Sequence, residues 1–186
     1  MKKEQFDKNE HLTPHFTLGE MCRTNARTGE GNLPPSADIV ENLRRLCGKL
    51  EQLRSRYNEQ YVLGSGGVEE ANSLNFLNPL NSSNLLEEPI VINSGYRSAA
   101  VNKAVGGSKT SNHLTGCAAD IRVSGIEQAL RYAVILMDVC DEDGVAFDEL
   151  LIERNARGTY WLHFALRPPE QENRRRIKFI ADRSAV

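Results

Sequence analysis

Apolar positions along the chain fall into short stretches of distinct period. The clearest is Ile39, Val40, Leu43, Leu46, Cys47, Leu50 and Leu53, which recur at helical spacing behind Ser36 as cap. Arg44, Arg45, Lys49, Arg54 and Arg56 occupy the other side, which reads as a solvated basic face. Ser124-x-x-Glu127 has the form of a capping box and predicts a helix to about Cys140, with Ala129, Leu130, Ala133, Leu136 and Met137 inward. Thr17-Leu-Gly-Glu20 has the same form and predicts a short helical turn. Residues 98–105 read as another short helix, closed by Gly106-Gly107. Strand-like runs lie at 90–93, 117–123, 149–153 and 160–166, and the connection 155–159 makes the last two a hairpin. Residues 177–180 add a candidate edge strand.

Between these elements the composition changes. Residues 1–16 read as a loose arm, and 23–35 as a polar connection ending in Pro34-Pro35. From 58 to 88 there are six Asn, four Ser, three Gly, five acids and no base, which reads as an inserted loop. The expected organisation is an arm and connection at 1–35, one domain at 36–166 carrying the insertion 58–88, and a basic tail at 167–186. A chain of 186 residues fits one domain and needs no disulfide or metal to fold. Twenty-five acids against 23 bases argue against a generic nucleic-acid binder. No apolar run approaches the ~20 residues of a membrane span, and the N-terminal lysines have no apolar core of a signal peptide behind them. Synthesis in the cytoplasm and a monomeric state are the expectations. Cys22, Cys47, Cys117 and Cys140 form no CxxC pair and read as reduced core cysteines.

The chemistry gathers in Ser94-Gly-Tyr-Arg-Ser98, Val105-Gly-Gly107, the stretch from Ser111 to Asp120, and Trp161-Leu-His163. His113 and Asp120 are a nitrogen and an oxygen donor seven residues apart, with Gly116 between them to fold the loop back over a strand. His163 can add a third donor. Two His and one Asp leave a fourth position open, the pattern of a catalytic zinc rather than a structural one. Such an ion lowers the pKa of bound water to ~7 and polarises a carbonyl. The same residues also read as a satisfied histidine beside an acid.

Ser111-x-His113-x-x-Gly116-x-Ala118-x-Asp120 resembles the signature of the zinc D-Ala-D-Ala carboxypeptidases, peptidase family M15. The segment 94–98, Asn102, Val105-Gly-Gly107 and Trp161-x-His163 fall where that family has them, most like its phage endolysin and cell-wall peptidase branch. The resemblance implies an α+β fold of the hedgehog/D-Ala-D-Ala metallopeptidase type, with a small central antiparallel sheet and flanking helices. It implies Zn²⁺ held by His113, Asp120 and His163. It gives Arg97 a substrate carboxylate or carbonyl, for which a guanidinium fork is suited, and Ser111 a substrate-side hydroxyl. A structural salt bridge for Arg97 and a turn cap for Ser111 stay open as alternatives. Tyr96 and Trp161 read as packing residues.

The chain departs from the family where many members place a catalytic carboxylate, three residues before the last histidine: here stands Tyr160. If 154 pairs with 160, then 153 faces 161 and 151 faces 163, and Glu153 lies on His163's face. Glu153 is therefore the expected general base, with Glu149 its rival and Asp148 structural or a partner of a zinc histidine. The implied function is hydrolysis of an amide bond in peptidoglycan stem peptides, as a carboxypeptidase or an endopeptidase. The alternative is a zinc-bearing wall-binding module without turnover. Either acts outside the membrane, and a phage origin reconciles this with the missing export signal. The Arg174-Arg-Arg176 run reads as a solvated tail or an attraction for anionic wall polymers.

Overall fold

In the computed structural model, residues 6–29, 31–63 and 87–183 are described. Residues expected within a loose arm instead form an antiparallel hairpin of β1 (His11–Thr13) and β2 (Phe16–Thr17). Leu12 and Phe16 drive this, both buried in the core. α1 (Leu18–Met21) follows, and Thr17 caps it as predicted, its hydroxyl accepting the Glu20 N–H at 3.2 Å. α2 (Ala37–Tyr57) buries Val40, Leu43, Leu46, Cys47, Leu50 and Leu53, as their spacing requires. Ser36 stands at its N-cap without a side-chain capping bond.

The basic side of α2 is paired rather than merely solvated. Lys49 is buried and donates to Asp143 at 2.6 Å, while Arg44, Arg54 and Arg56 pair with Glu10, Glu87 and Glu142. Where a loop was expected, α2 runs on into a π-helical turn, Asn58–Leu63. The Asn58 side chain then bonds both backbone groups of Glu88, donating to its carbonyl at 3.0 Å and accepting its N–H at 2.6 Å. Most of the expected insertion, 64–86, lies outside the described residues.

Next come β3 (Ile92–Ser94), α3 (Ala99–Ala104), a 3₁₀ turn (Asn112–Thr115), β4 (Ala118–Arg122) and α4 (Ile126–Glu142). The predicted capping box of α4 does not form. Gly125 is the N-cap, and Gln128 accepts the Ser124 N–H at 2.7 Å in its place. Leu130, expected inward, is 52% exposed, and Tyr132, Ile135, Val139 and Cys140 complete the buried side.

β5 (Glu149–Asn155) and β6 (Tyr160–Ala165) form the predicted hairpin, and β7 (Arg176–Arg183) follows. The sheet is five-stranded in the order β3-β4-β6-β5-β7. Its first four strands are antiparallel neighbours, but β7 lies parallel to β5. The sheet is therefore mixed, not the small antiparallel one expected. The physical reason is the return of segment 166–175 to the end where β5 begins. There the Arg175 N–H bonds the Phe147 carbonyl at 3.0 Å and the Arg176 N–H bonds the Asp148 carbonyl at 2.9 Å. β7 thus starts beside the start of β5.

Alternation sorts the sheet residues onto two faces. Ala119, Ile121, Leu150, Leu162 and Phe164 are buried on the face that meets the core built with α2 and α4. Asp120, His163, Glu149, Leu151, Glu153, Arg176, Lys178 and Ile180 line the other. All four cysteines are free and buried, as expected, and burial raises each thiol, that of Cys22 to about 12. No helix among the described residues is long and apolar enough to cross a membrane.

Candidate metal centre

Asp120 on β4 pairs directly with His163 on β6, so the sheet itself places the two side chains together. His113 reaches them from the 3₁₀ turn. Gly116 ends that turn at φ 72°, and a Cβ there would come within 2.7 Å of the Ile39 carbonyl oxygen. The glycine thus lets the turn press on α2 while carrying His113 over β4. The loop before α3 is equally tight, since a Cβ on Gly95 would stand 2.4 Å from the Met21 carbonyl oxygen. The Gly95 carbonyl lies 2.6 Å from His113 Nδ1. A carbonyl only accepts, so Nδ1 carries the proton and Nε2 is the ligand atom.

His113 Nε2 stands 3.3 Å from Asp120 Oδ1, and His163 Nδ1 stands 2.8 Å from the same oxygen. One donor atom from each of the three residues lies within 4.8 Å of the others. Burial lowers the His113 pKa, so its imidazole is neutral and ready to ligate. Burial pushes Asp120 up, but the two histidines overrule it and hold the carboxyl well below its usual range. Burial also pulls His163 down, yet its bonds to Asp120 and Glu149 raise it to about 9. A metal ion bound here takes the place of that His163 proton. Two imidazole nitrogens and a carboxylate oxygen fit a borderline divalent ion.

The remaining candidates sort by geometry. The register Arg154↔Tyr160, Glu153↔Trp161 and Leu151↔His163 is the predicted one. Glu153 is accordingly on the groove face and 2% exposed, and its charge helps to raise the His163 pKa. Glu149, its rival, lies 3.6 Å from His163 Nε2 and is tied to Arg174 and Arg176, the setting of an orienting partner. Asp148 bonds to neither His113 nor His163. It is fully buried and gathers Arg174, Arg167 and the Asn112 amide, joining the 3₁₀ turn to the entry of β7. Arg97 pairs with Asp120 and donates from Nε to Ser94 Oγ at 2.8 Å, while still lining the groove. Ser111 caps the turn through the His113 N–H at 3.4 Å and also lines the groove.

Tyr160 has the opposite parity from His163 on β6. It packs with the core side, its ring centroid 6.5 Å from that of Phe179. On this strand the position that the family pattern gives to a carboxylate thus faces the helices. Tyr96 is buried as expected, whereas Trp161 is only half-buried, on the groove face rather than in the core.

Two contributions were not expected. Asn32 donates to the Cys22 and Tyr96 carbonyls at 2.8 and 2.9 Å and accepts the Ser98 N–H at 2.7 Å, fixing the loop that carries Arg97. Arg174, Arg176, Lys178 and Ile180 form one wall of the groove. The clue to that wall was the two-residue alternation Arg176, Lys178, Ile180 against Ile177, Phe179.

Together these residues enclose a groove of about 280 Å³ with the three donors in it. No curated protein matches the chain. Residues 64–146 match the family model described as Peptidase M15, a span that contains His113 and Asp120 and stops short of His163. Over that span the chain is similar to Peptidase M15, in agreement with the resemblance carried by the motifs.

Proposed function

We propose that the protein is a zinc peptidase that hydrolyses an amide bond in peptidoglycan stem peptides, of the D,D-carboxypeptidase or endopeptidase type. The observation that carries this reading is the burial of Glu153 on the same sheet face and in the same groove as His113, Asp120 and His163. Those three residues would hold the zinc ion, which supplies Lewis acidity toward water and a carbonyl. Glu153 accepts the proton of the attacking water and returns it to the leaving amine nitrogen. Glu149 keeps the His163 ring oriented. Arg97, fixed by Ser94 and Asp120, presents its remaining guanidinium edge to a substrate carboxylate or carbonyl, and the Ser111 hydroxyl offers a second polar contact.

The helices on one sheet face and the groove on the other support the D-Ala-D-Ala metallopeptidase type of fold, with residues 36–166 as the centre of a peptidase domain to which the β1–β2 hairpin and β7 also belong. The chain acts as a monomer on the cell wall, reached through a separate pore if the enzyme is phage-encoded. The reading of an inactive binding module rested on Tyr160, and that side chain lies on the helix side of β6.

Metal analysis coupled with mass spectrometry of digested peptidoglycan tests the proposal. The expected result is stoichiometric zinc and the loss of one defined amide bond. Zinc-loaded protein that leaves every wall peptide intact overturns it in favour of the binding module.

A further inference from the structure

One row of paired positions crosses the groove face of the sheet: Ser94, Asp120, His163, Leu151 and Lys178, on β3, β4, β6, β5 and β7 in turn. The candidate metal donors stand near its middle, and cations stand at both ends. At the β3 end Arg97 is held by Asp120 and Ser94. At the β7 end the arginines are already engaged, Arg174 with Asp148 and Glu149, and Arg176 with Glu149 at 2.8 Å. Lys178 differs from them. It is exposed, lines the groove, and makes no hydrogen bond or ion pair among the described residues.

Its reach follows from the sheet spacing. Two strand intervals separate it from His163, about 10 Å between backbones. An extended peptide advances about 3.5 Å per residue, so a ligand lying across the strands meets Lys178 about two to three residues from the scissile bond. Leu151 and Ile180 give the intervening floor an apolar surface that cannot satisfy a charge. An ammonium left over after Arg174 and Arg176 have paired with Glu149 is an open receptor for an anion in the groove.

We propose that Lys178 is a specificity-determining residue that binds a carboxylate of the peptide substrate, two to three residues from the scissile bond on the β7 side. The proposal rests on the peptidase reading above, and the two fail separately. The probes are two synthetic pentapeptides of stem-peptide sequence that differ only at the second residue, a glutamate carboxylate in one and its carboxamide in the other. Both turnover and equilibrium binding are measured on the zinc-loaded full chain.

The native protein is expected to favour the carboxylate peptide about fivefold, the scale of a partly screened ion pair. Lys178→Ala should abolish that preference through KM and Kd while kcat holds. Lys178→Arg should keep the preference and Lys178→Glu should reverse it. Native protein with no preference, Lys178→Ala with the preference intact, or equal loss on both peptides overturns the role of Lys178. Native protein that binds the peptides but cleaves neither defeats the peptidase reading, and the binding preference then decides Lys178 by itself.

Discussion

The two faces of the five-stranded sheet come from the same strands and carry opposite burdens. Toward α2 and α4 stand Ala119, Ile121, Leu150, Leu162 and Phe164, apolar and buried. Toward the groove, the same strands carry Asp120, His163, Glu149 and Glu153, with Asp120 and His163 in direct register. Withdrawing such groups from water is costly unless each is paired. The pairing is present, with Asp120 against Arg97 and Glu149 against Arg176. One face gathers the apolar burial that holds the fold, which leaves the other able to carry chemistry that contributes little stability.

That division can be broken by substitution. The largest effect is expected from Glu153→Gln: peptide hydrolysis should fall roughly 100- to 10,000-fold, the usual worth of general acid–base catalysis, with metal content and melting temperature retained. A collapse of the fold instead would show that the groove face also holds the sheet. Phe164→Ala, one residue from His163 but on the other face, should cost about 3–5 kcal/mol in denaturant unfolding. Its folded fraction should still bind metal with native stoichiometry.

Asp148→Asn tests the junction between the faces. Burial raises the Asp148 carboxyl, but its bonds from Arg174 and Asn112 outweigh this and lower its pKa. A lowered folded-state pKa contributes stability that is present above the unfolded value and lost as pH falls through the folded one. The variant should therefore be about 1–3 kcal/mol less stable at neutral pH. That gap should close on acidification below about pH 4. A gap that is unchanged in acid would assign the loss to shape rather than charge. Leu130→Ser, on the exposed side of α4, should change stability by no more than about 0.5 kcal/mol. A larger loss would mean that apolar burial extends beyond the helix-facing side of the sheet.

The sequence was legible where a local rule decides the outcome. The turn at 155–159 allowed the β5–β6 register to be assigned, and with it the face of Glu153. Helical spacing gave the buried side of α2. The signature from Ser111 to Asp120 pointed to two of the three candidate donors because a glycine turn and strand pairing are short-range. The parallel partnership of β7 was not legible, since a parallel pair needs a crossover and leaves no turn signal. The cationic wall and Lys178 stayed hidden with it. The β1–β2 hairpin was missed because so few residues show no period. At α4 two side chains competed to cap one helix end, and composition could not tell Gln128 from Glu127.

The parallel placement of β7 also sets an order of assembly. During synthesis the chain emerges at about 5–20 residues per second, with earlier segments free to fold first. β3 to β6 can pair while β7 is still inside the ribosome, and until it arrives the outer side of β5 is a bare edge open to unwanted strand addition. The cations that close the groove come with that same strand. A nascent chain can therefore bring its three candidate metal donors together before it has the wall that completes the groove.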